Sequence, residues 1–164
     1  MHRERTVSDS VTIAVPPHVA YDAVSDVTQM GRWSPENTGA RLPSPGPVEV
    51  GTSFVGSNRR GRATWVTECT VTAADPGERF AFRVHRIGPS RPIVPGRNAS
   101  WEYRFEEVDG GTRVTETWTD DRRWPDAVAA VFDKAVTGGQ LFADHQRTNI
   151  RRTLDRLRSE LEKG

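Results

Sequence analysis

The feature that most constrains this chain is a change of hydrophobic period about three quarters of the way along it. From Thr6 to Asp120 the apolar residues recur mainly at every second position, the period of strands with one buried face. From about Asp126 to Glu162 the period becomes helical, and Ile150, Leu154, Leu157 and Leu161 fall on one stripe. A sheet with one apolar face needs a cover. The terminal helix is the only element long enough to supply it. The pattern predicts an α+β domain in which a curved antiparallel sheet wraps a long C-terminal helix, with an apolar pocket between them.

The order of elements follows from the same reading. Thr6 to Val15 reads as a strand, stopped by Pro16-Pro17. Pro17 suits a first helical turn, where its missing donor costs nothing, so Pro17 to Ser25 reads as a short helix and Asp26 to Met30 as a second. Leu42 to Val50 is a loop, and Thr52 to Ser57 a short strand closed by a turn at Asn58-Arg59-Arg60-Gly61. Thr64 to Ala73, Arg79 to His85, Ser100 to Glu106 and Thr112 to Asp120 read as strands. Ile87 to Arg97, with three prolines and two glycines, reads as a long surface loop. Asp109-Gly110-Gly111 is a hairpin turn signal, and Gly138-Gly139 predicts a kink or break in the terminal helix. Tight turns between successive strands make an antiparallel meander of about seven strands. Its 164 residues suit a single domain spanning 1–164.

Composition narrows the function. The net charge of +1 gives no whole-protein field toward nucleic acid. Aromatic and arginine residues alternate across opposite faces, unlike an RNA-binding surface. Of the 23 basic residues only Lys134 and Lys163 are lysine, which reads first as genome composition bias. No apolar run approaches a membrane span and no signal peptide is visible, so a cytoplasmic location is expected. Cys69 is the single cysteine and reads as a small buried hydrophobe. His2, His18 and His85 show no metal-ligand spacing, so neither metal nor cofactor is expected. Nucleotide-binding glycine patterns and the GxSxG elbow are missing from the sequence.

Several stretches together carry a family resemblance: Pro16-Pro17-His18-Val19-Ala20-Tyr21-Asp22-Ala23-Val24-Ser25-Asp26, Trp33-Ser34-Pro35-Glu36, Asn58-Arg59-Arg60-Gly61, Gly110-Gly111-Thr112-Arg113-Val114-Thr115-Glu116 and Thr153-Leu154-Asp155-Arg156-Leu157. In this order the chain resembles the START-like, or helix-grip, superfamily that includes the birch-pollen allergens. More closely, it resembles the bacterial polyketide cyclase/dehydrase and lipid-transport (SRPBCC) family. The resemblance implies the helix-grip fold and a hydrophobic ligand (a polyketide, an aromatic or a lipid-like molecule) held between sheet and helix. It leaves two roles open: a cofactor-independent cyclase/dehydratase in bacterial secondary metabolism, or a non-catalytic carrier or sensor. A partner protein with an exposed apolar patch is a third reading, and the chain is expected to be a monomer or a homodimer.

Alternation gives the expected lining. Trp65, Thr67, Cys69 and Val71, then Phe80, Phe82 and Val84, then Trp101, Tyr103 and Phe105, then Val114, Glu116 and Trp118 should face the helix. Trp33 and Phe54 should close one end. Glu116 is a carboxylate placed in phase with aromatic walls, where desolvation raises its pKa and suits it to acid–base work. Tyr103 could orient or protonate a carbonyl. With Ile150 at the centre of the helical stripe, Gln146 lies about 40° away, Phe142 about 80°, Asn149 about 100° and His145 about 140°. Gln146, Asn149 and Phe142 are therefore expected ligand contacts, and His145, chemically apt, is expected to point away. Glu68, on the outer phase, and Asp120, at a solvated strand end, are weaker candidates.

Overall fold

In the computed structural model, which describes residues 2–163, the alternating segments pair into one seven-stranded antiparallel sheet. The elements are β1 (Thr6–Ile13), α1 (Pro17–Ser25), a 3₁₀ turn (Val27–Arg32), β2 (Asn37–Arg41), β3 (Ser53–Arg60), β4 (Ala63–Asp75), β5 (Arg79–Gly88), β6 (Val94–Val108), β7 (Gly111–Asp120), α2 (Asp126–Thr137) and α3 (Phe142–Glu162). The sheet order is β1-β7-β6-β5-β4-β3-β2. From β3 onward each strand lies beside its predecessor, and β1 closes on β7 with Val7 opposite Trp118 and Val11 opposite Val114.

Helix α3 lies across the concave face and buries Ala143, Asn149, Ile150, Thr153, Leu154 and Leu157. Against it stand Val7, Val11, Val114 and Trp118 from the β1–β7 side and Phe54, Phe80, Phe82 and Phe105 from the rest of the sheet. Helix α1 plugs one end of the trough. Its Tyr21 ring meets Phe105 at 5.6 Å and Phe80 at 6.3 Å, both edge-on. Asp26 starts the 3₁₀ turn by accepting a hydrogen bond from the Thr28 amide at 3.2 Å.

Four expectations change. Strand β2 was not expected; it is short and polar and pairs only with β3, so it carries little apolar period. Strand β3 runs on through Asn58 to Arg60, and the turn falls at Gly61-Arg62, where Gly61 takes φ +60°. Ile87 to Arg97 is mostly strand, with Ile87 opposite Val94 and Arg86 opposite Pro95. Strand β7 ends at Asp120 opposite Ala99, so Pro95 lies on an overhang with a neighbour on one side only, the edge setting in which a sheet tolerates proline. The break at Gly138-Gly139 is complete: Gly138 closes α2 in the left-handed conformation at φ 77°, and α3 begins as a separate helix.

Asp120 is the fourth correction, because it is buried. Arg122 Nε donates to Asp120 Oδ1 at 2.9 Å and Nη2 to Oδ2 at 2.8 Å. Arg122 Nη1 donates to Asp133 Oδ1 at 2.8 Å, and Asp133 Oδ2 accepts the Phe142 amide at 3.0 Å. Arg3 adds an ion pair to Asp120 at 3.3 Å and a bond to the Arg122 carbonyl at 3.0 Å. The Arg122 guanidinium also lies 4.6 Å from the Phe142 ring and 4.9 Å from that of Trp124. Burial opposes Asp120's charge, but the Arg122 bonds outweigh it and hold its carboxyl below the ordinary value. One side chain thereby joins the end of β7, α2 and the first turn of α3.

Two predictions follow from these contacts. Gly111 has φ +142°, and a Cβ there would stand 2.0 Å from the Ile13 carbonyl, whereas Gly96 has open space around it. Gly111→Ala should therefore cost about 2 kcal/mol or more in urea denaturation, and Gly96→Ala well under that. Arg122→Met, which strands two buried carboxylates, should cost about 3–5 kcal/mol in the same assay.

Candidate functional site

The candidate site is the concave face, and its polar groups lie in two separate sets. The floor set comes from strand register. Asp9 on β1, Glu116 on β7 and Tyr103 on β6 are consecutive cross-strand partners, so all three point to the same face. Tyr103 Oη donates to Glu116 Oε1 at 2.9 Å, with both side chains buried. Glu116 Oε2 is buried without a hydrogen-bond partner among the described residues. Burial pushes the Glu116 carboxyl up to about 8; the Tyr103 bond pulls against this, and the Asp9 charge adds to it. Burial and the adjacent Glu116 push Tyr103 well above its ordinary value. Near neutral pH the floor therefore carries a neutral carboxylic acid and a neutral phenol. Asp9 remains partly open, paired with Arg151 of α3 at 3.1 Å. Sequence reasoning passed over Asp9, although it shares the phase of Val7 and Val11 and was readable by the rule that singled out Glu116.

The second set lies where the first turns of α3 approach the β2–β3 edge. Glu36, from the Trp33-Ser34-Pro35-Glu36 stretch, accepts from Arg60 Nε at 2.5 Å, bonds His145 Nε2 at 3.2 Å and accepts from Asn149 Nδ2 at 3.2 Å. Burial works against the Glu36 charge, but His145 and Arg60 more than compensate and hold its carboxyl below the usual range. Arg60 also lies 5.3 Å from the Trp65 ring and bonds the Val136 carbonyl of α2 at 3.0 Å. His145 thus does not point away into solvent. It sits in the first turns of α3, one turn before Asn149 on the flank of the helix beside the β2–β3 edge, and reaches Glu36 from there. Glu36 had no assigned role from sequence, and Arg60 read only as part of a solvated hairpin turn or a basic anion-binding tip; nothing local marks two residues 24 apart as partners.

Aromatic residues join the two sets. Phe82 stacks on Trp101 with centroids 5.8 Å apart and meets Phe54 edge-on at 5.3 Å. Trp33, Phe54 and Trp118 are buried, whereas Trp65, Thr67, Trp101, Phe142 and Gln146 are half-buried. Phe142 turns toward α2, 6.1 Å from Phe132. The rings expected to line the pocket thus touch one another. Two clefts lie elsewhere: one of about 360 Å³ beside the β3–β4 tip, touching Trp65, and one of about 620 Å³ between α1 and the Leu42–Val48 segment. Neither is lined by Glu116, Tyr103 or α3. Glu68 lies on the outer face near His85 and Arg86, and burial raises the Cys69 thiol to about 12, which leaves it un-ionised. Among the described residues, no three His, Cys, Asp or Glu side chains form a group able to hold a metal, and no helix is long and apolar enough to cross a membrane.

The family model for polyketide cyclase / dehydrase and lipid transport proteins matches residues 4–162. The chain belongs to that family. Solved structures agree on the helix-grip fold. A polyketide-cyclase-like protein, Cgl2372 from Corynebacterium glutamicum, is 28% identical over 99% of this chain and 94% of its own, with a TM-score of 0.61. A START superfamily protein from Mycobacterium smegmatis matches at 12% identity over 98% of this chain and 99% of its own, with a TM-score of 0.67. DynU16, described as a putative protein in the dynemicin biosynthetic locus, matches at 16% identity over 98% of this chain and 48% of its own, with a TM-score of 0.64. No curated protein matches the sequence.

The floor acid makes stability depend on pH. Unfolded, Glu116 ionises near its ordinary value; folded, it holds its proton up to about 8. Its favourable share is complete below the unfolded value and is lost as pH rises toward the folded one. For one proton the slope is at most about 1.4 kcal/mol per pH unit. Between pH 5 and 8, unfolding free energy should fall more steeply in wild type than in Glu116→Gln, as read by urea denaturation at each pH.

Proposed function

We propose that the chain binds a hydrophobic small molecule on the concave face under α3, and that Tyr103 and Glu116 present it with hydrogen bonds at the floor. The observation that carries this reading is Glu116 Oε2: a fully buried carboxyl atom without a partner, set among aromatic rings. An apolar wall with a few convergent polar groups is the usual composition of a small-molecule site. A neutral carboxylic acid can donate to a ligand carbonyl or hydroxyl, which an ionised one cannot. In this reading Phe82, Trp101, Trp65 and Thr67 would supply the apolar side of the site, with Gln146 and Asn149 of α3 as its polar contacts. Entry requires Phe82, Trp101 and Phe54 to part and α3's first turns to lift from Glu36.

Family membership gives the reading a chemistry. In a cyclase/dehydratase role, Glu116 gives its proton to a hydroxyl that leaves as water. The C–O bond breaks, and the α C–H bond breaks to form the C=C double bond. The Glu116 carboxylate takes up that α proton and is restored, while the Tyr103 hydroxyl turns from Glu116 Oε1 to donate its one hydrogen bond to the neighbouring carbonyl oxygen. Holding a flexible chain in a folded shape removes part of the barrier as well. The alternative is a carrier that binds without turnover.

A titration with N-phenyl-1-naphthylamine, a neutral hydrophobic fluorophore, tests binding. Saturable one-site binding is expected, weakened about tenfold or more by Thr67→Trp, which fills the face. Non-saturable binding, or binding indifferent to Thr67→Trp, would remove the site. With a β-hydroxyketone substrate, Glu116→Gln should lower turnover at least about 100-fold while the probe still binds. Probe binding by wild type without turnover would assign the carrier role.

A further inference from the structure

Helix α2 is held on the wrong face for its own sequence. Only Ala129 and Asp133 of its twelve residues are buried, and Asp133 is there because Arg122 requires it. At about 100° per residue, Val131 lies about 180° from that buried direction and Val128 about 120° from it. Val131 is accordingly 72% exposed, and Val128, Phe132, Val136 and the preceding Trp124 are also exposed.

The same end of the molecule carries the tips of two hairpins. Val66 lies opposite Gly88, so the β3–β4 tip and the β5–β6 tip are neighbours. The β3–β4 tip touches α2 through Arg60 and Val136, and the β6 overhang meets the segment leading to α2 where the Asp121 amide donates to the Asn98 carbonyl at 3.0 Å. The β5–β6 tip exposes Ile93 and Val94. The two tips hold Arg59, Arg60, Arg62, Arg86, Arg91 and Arg97, and no acidic residue occurs from Gly51 to Thr67 or from Arg86 to Trp101. Arg60 is engaged by Glu36 and Arg86 lies near Glu68, but Arg59, Arg62, Arg91 and Arg97 are exposed and have no ion pair among the described residues. Of the acids nearby, Asp133 is engaged by Arg122, Asp126 by Arg3 and Asp144 by Arg147, and Asp121 accepts from the Ser100 hydroxyl, which leaves one acid without an ion pair among the described residues against four such arginines. A net charge of +1 thus conceals a strongly basic end.

We propose that this end docks on an anionic lipid surface, with Val131, Ile93 and Val94 entering the headgroup layer and the tip arginines pairing with lipid phosphates and carboxylates. Exposed apolar residues flanked by unpaired arginine are the chemistry of interfacial binding. A second copy is disfavoured by charge: an isologous contact would set the same unpaired arginines of two copies against each other. The apolar residues stand on projecting elements, the β5–β6 hairpin tip and the outer side of a helix, which suits a planar fluid surface better than the convex face of a protein. Docked there, the molecule would have α3's first turns and the Glu36 contacts close to the lipid. The inference does not depend on an occupied concave face, since the naphthylamine titration reads that face and vesicle binding reads this one.

The experiment is co-sedimentation of the full chain with vesicles of roughly three parts phosphatidylcholine to one part phosphatidylserine, beside vesicles of phosphatidylcholine alone. Binding to the anionic vesicles is expected, falling at least about tenfold at high salt and about tenfold in Arg59→Glu/Arg62→Glu. Val131→Asp/Ile93→Asp should lower it by a similar factor while far-ultraviolet circular dichroism stays unchanged. Failure to bind anionic vesicles, equal binding to both vesicle types, or binding unaffected by either double variant would overturn the proposal. A concentration-dependent dimer abolished by Val131→Asp would overturn it in favour of self-association.

Discussion

The ion-paired cluster around Arg122 is the constraint on which the rest of the arrangement depends. A guanidinium removed from water is tolerable only where carboxylates and carbonyls meet its donors, and here Asp120 and Asp133 do so while the Arg3 side chain donates to the Arg122 carbonyl. Because Asp133 belongs to α2 and also accepts the first amide of α3, the cluster sets where α3 begins and which way α2 faces. Apolar packing alone would have turned α2's valines inward. The buried charges outweigh that preference, since leaving Asp133 unpaired would cost more than exposing two or three valines.

The position of α3 against the sheet then determines the site. His145 and Asn149, one turn apart on α3, share the flank of the helix that faces the β2–β3 edge, and both bond Glu36 there. Beneath them the sheet register places Asp9, Glu116 and Tyr103 in one row. The two polar sets behave differently because their surroundings differ. Glu36 has a guanidinium, an imidazole and an amide around it and stays charged. Glu116 has a phenol and apolar rings around it and keeps its proton. Ionic contacts thus hold the helix to the sheet at one end, while a neutral acid waits at the floor.

Much of this was legible residue by residue. The strand period placed Phe80, Phe82, Tyr103, Glu116 and Trp118 on the inner face because a pleated strand leaves side chains no other choice. It marked Glu116 as exceptional because a carboxylate in that phase has to be desolvated. The same rule covered Asp9, which was passed over. What stayed hidden involved partners far apart in the chain. Asp120 looked like a solvated strand end because its buried partners, Arg3 and Arg122, show no period. Strand β2 carried no apolar signal because it sits at the edge of the sheet. The prolines of Ile87 to Arg97 read as loop because their tolerance in a strand depends on where β7 stops.

By itself, then, the sequence determined the order of the elements, the face each strand turns inward, the stripe by which α3 is gripped, and the family those features describe. These rest on local periods of 2 and 3.6, which any short window displays. Only the tertiary structure decided that Tyr103 bonds Glu116, that Glu36 gathers Arg60, His145 and Asn149, and that α2 keeps its apolar side outward beside two arginine-rich hairpin tips. Those outcomes depend on strand register and on the competition between buried charge and apolar burial, and neither is encoded within any single window of the chain.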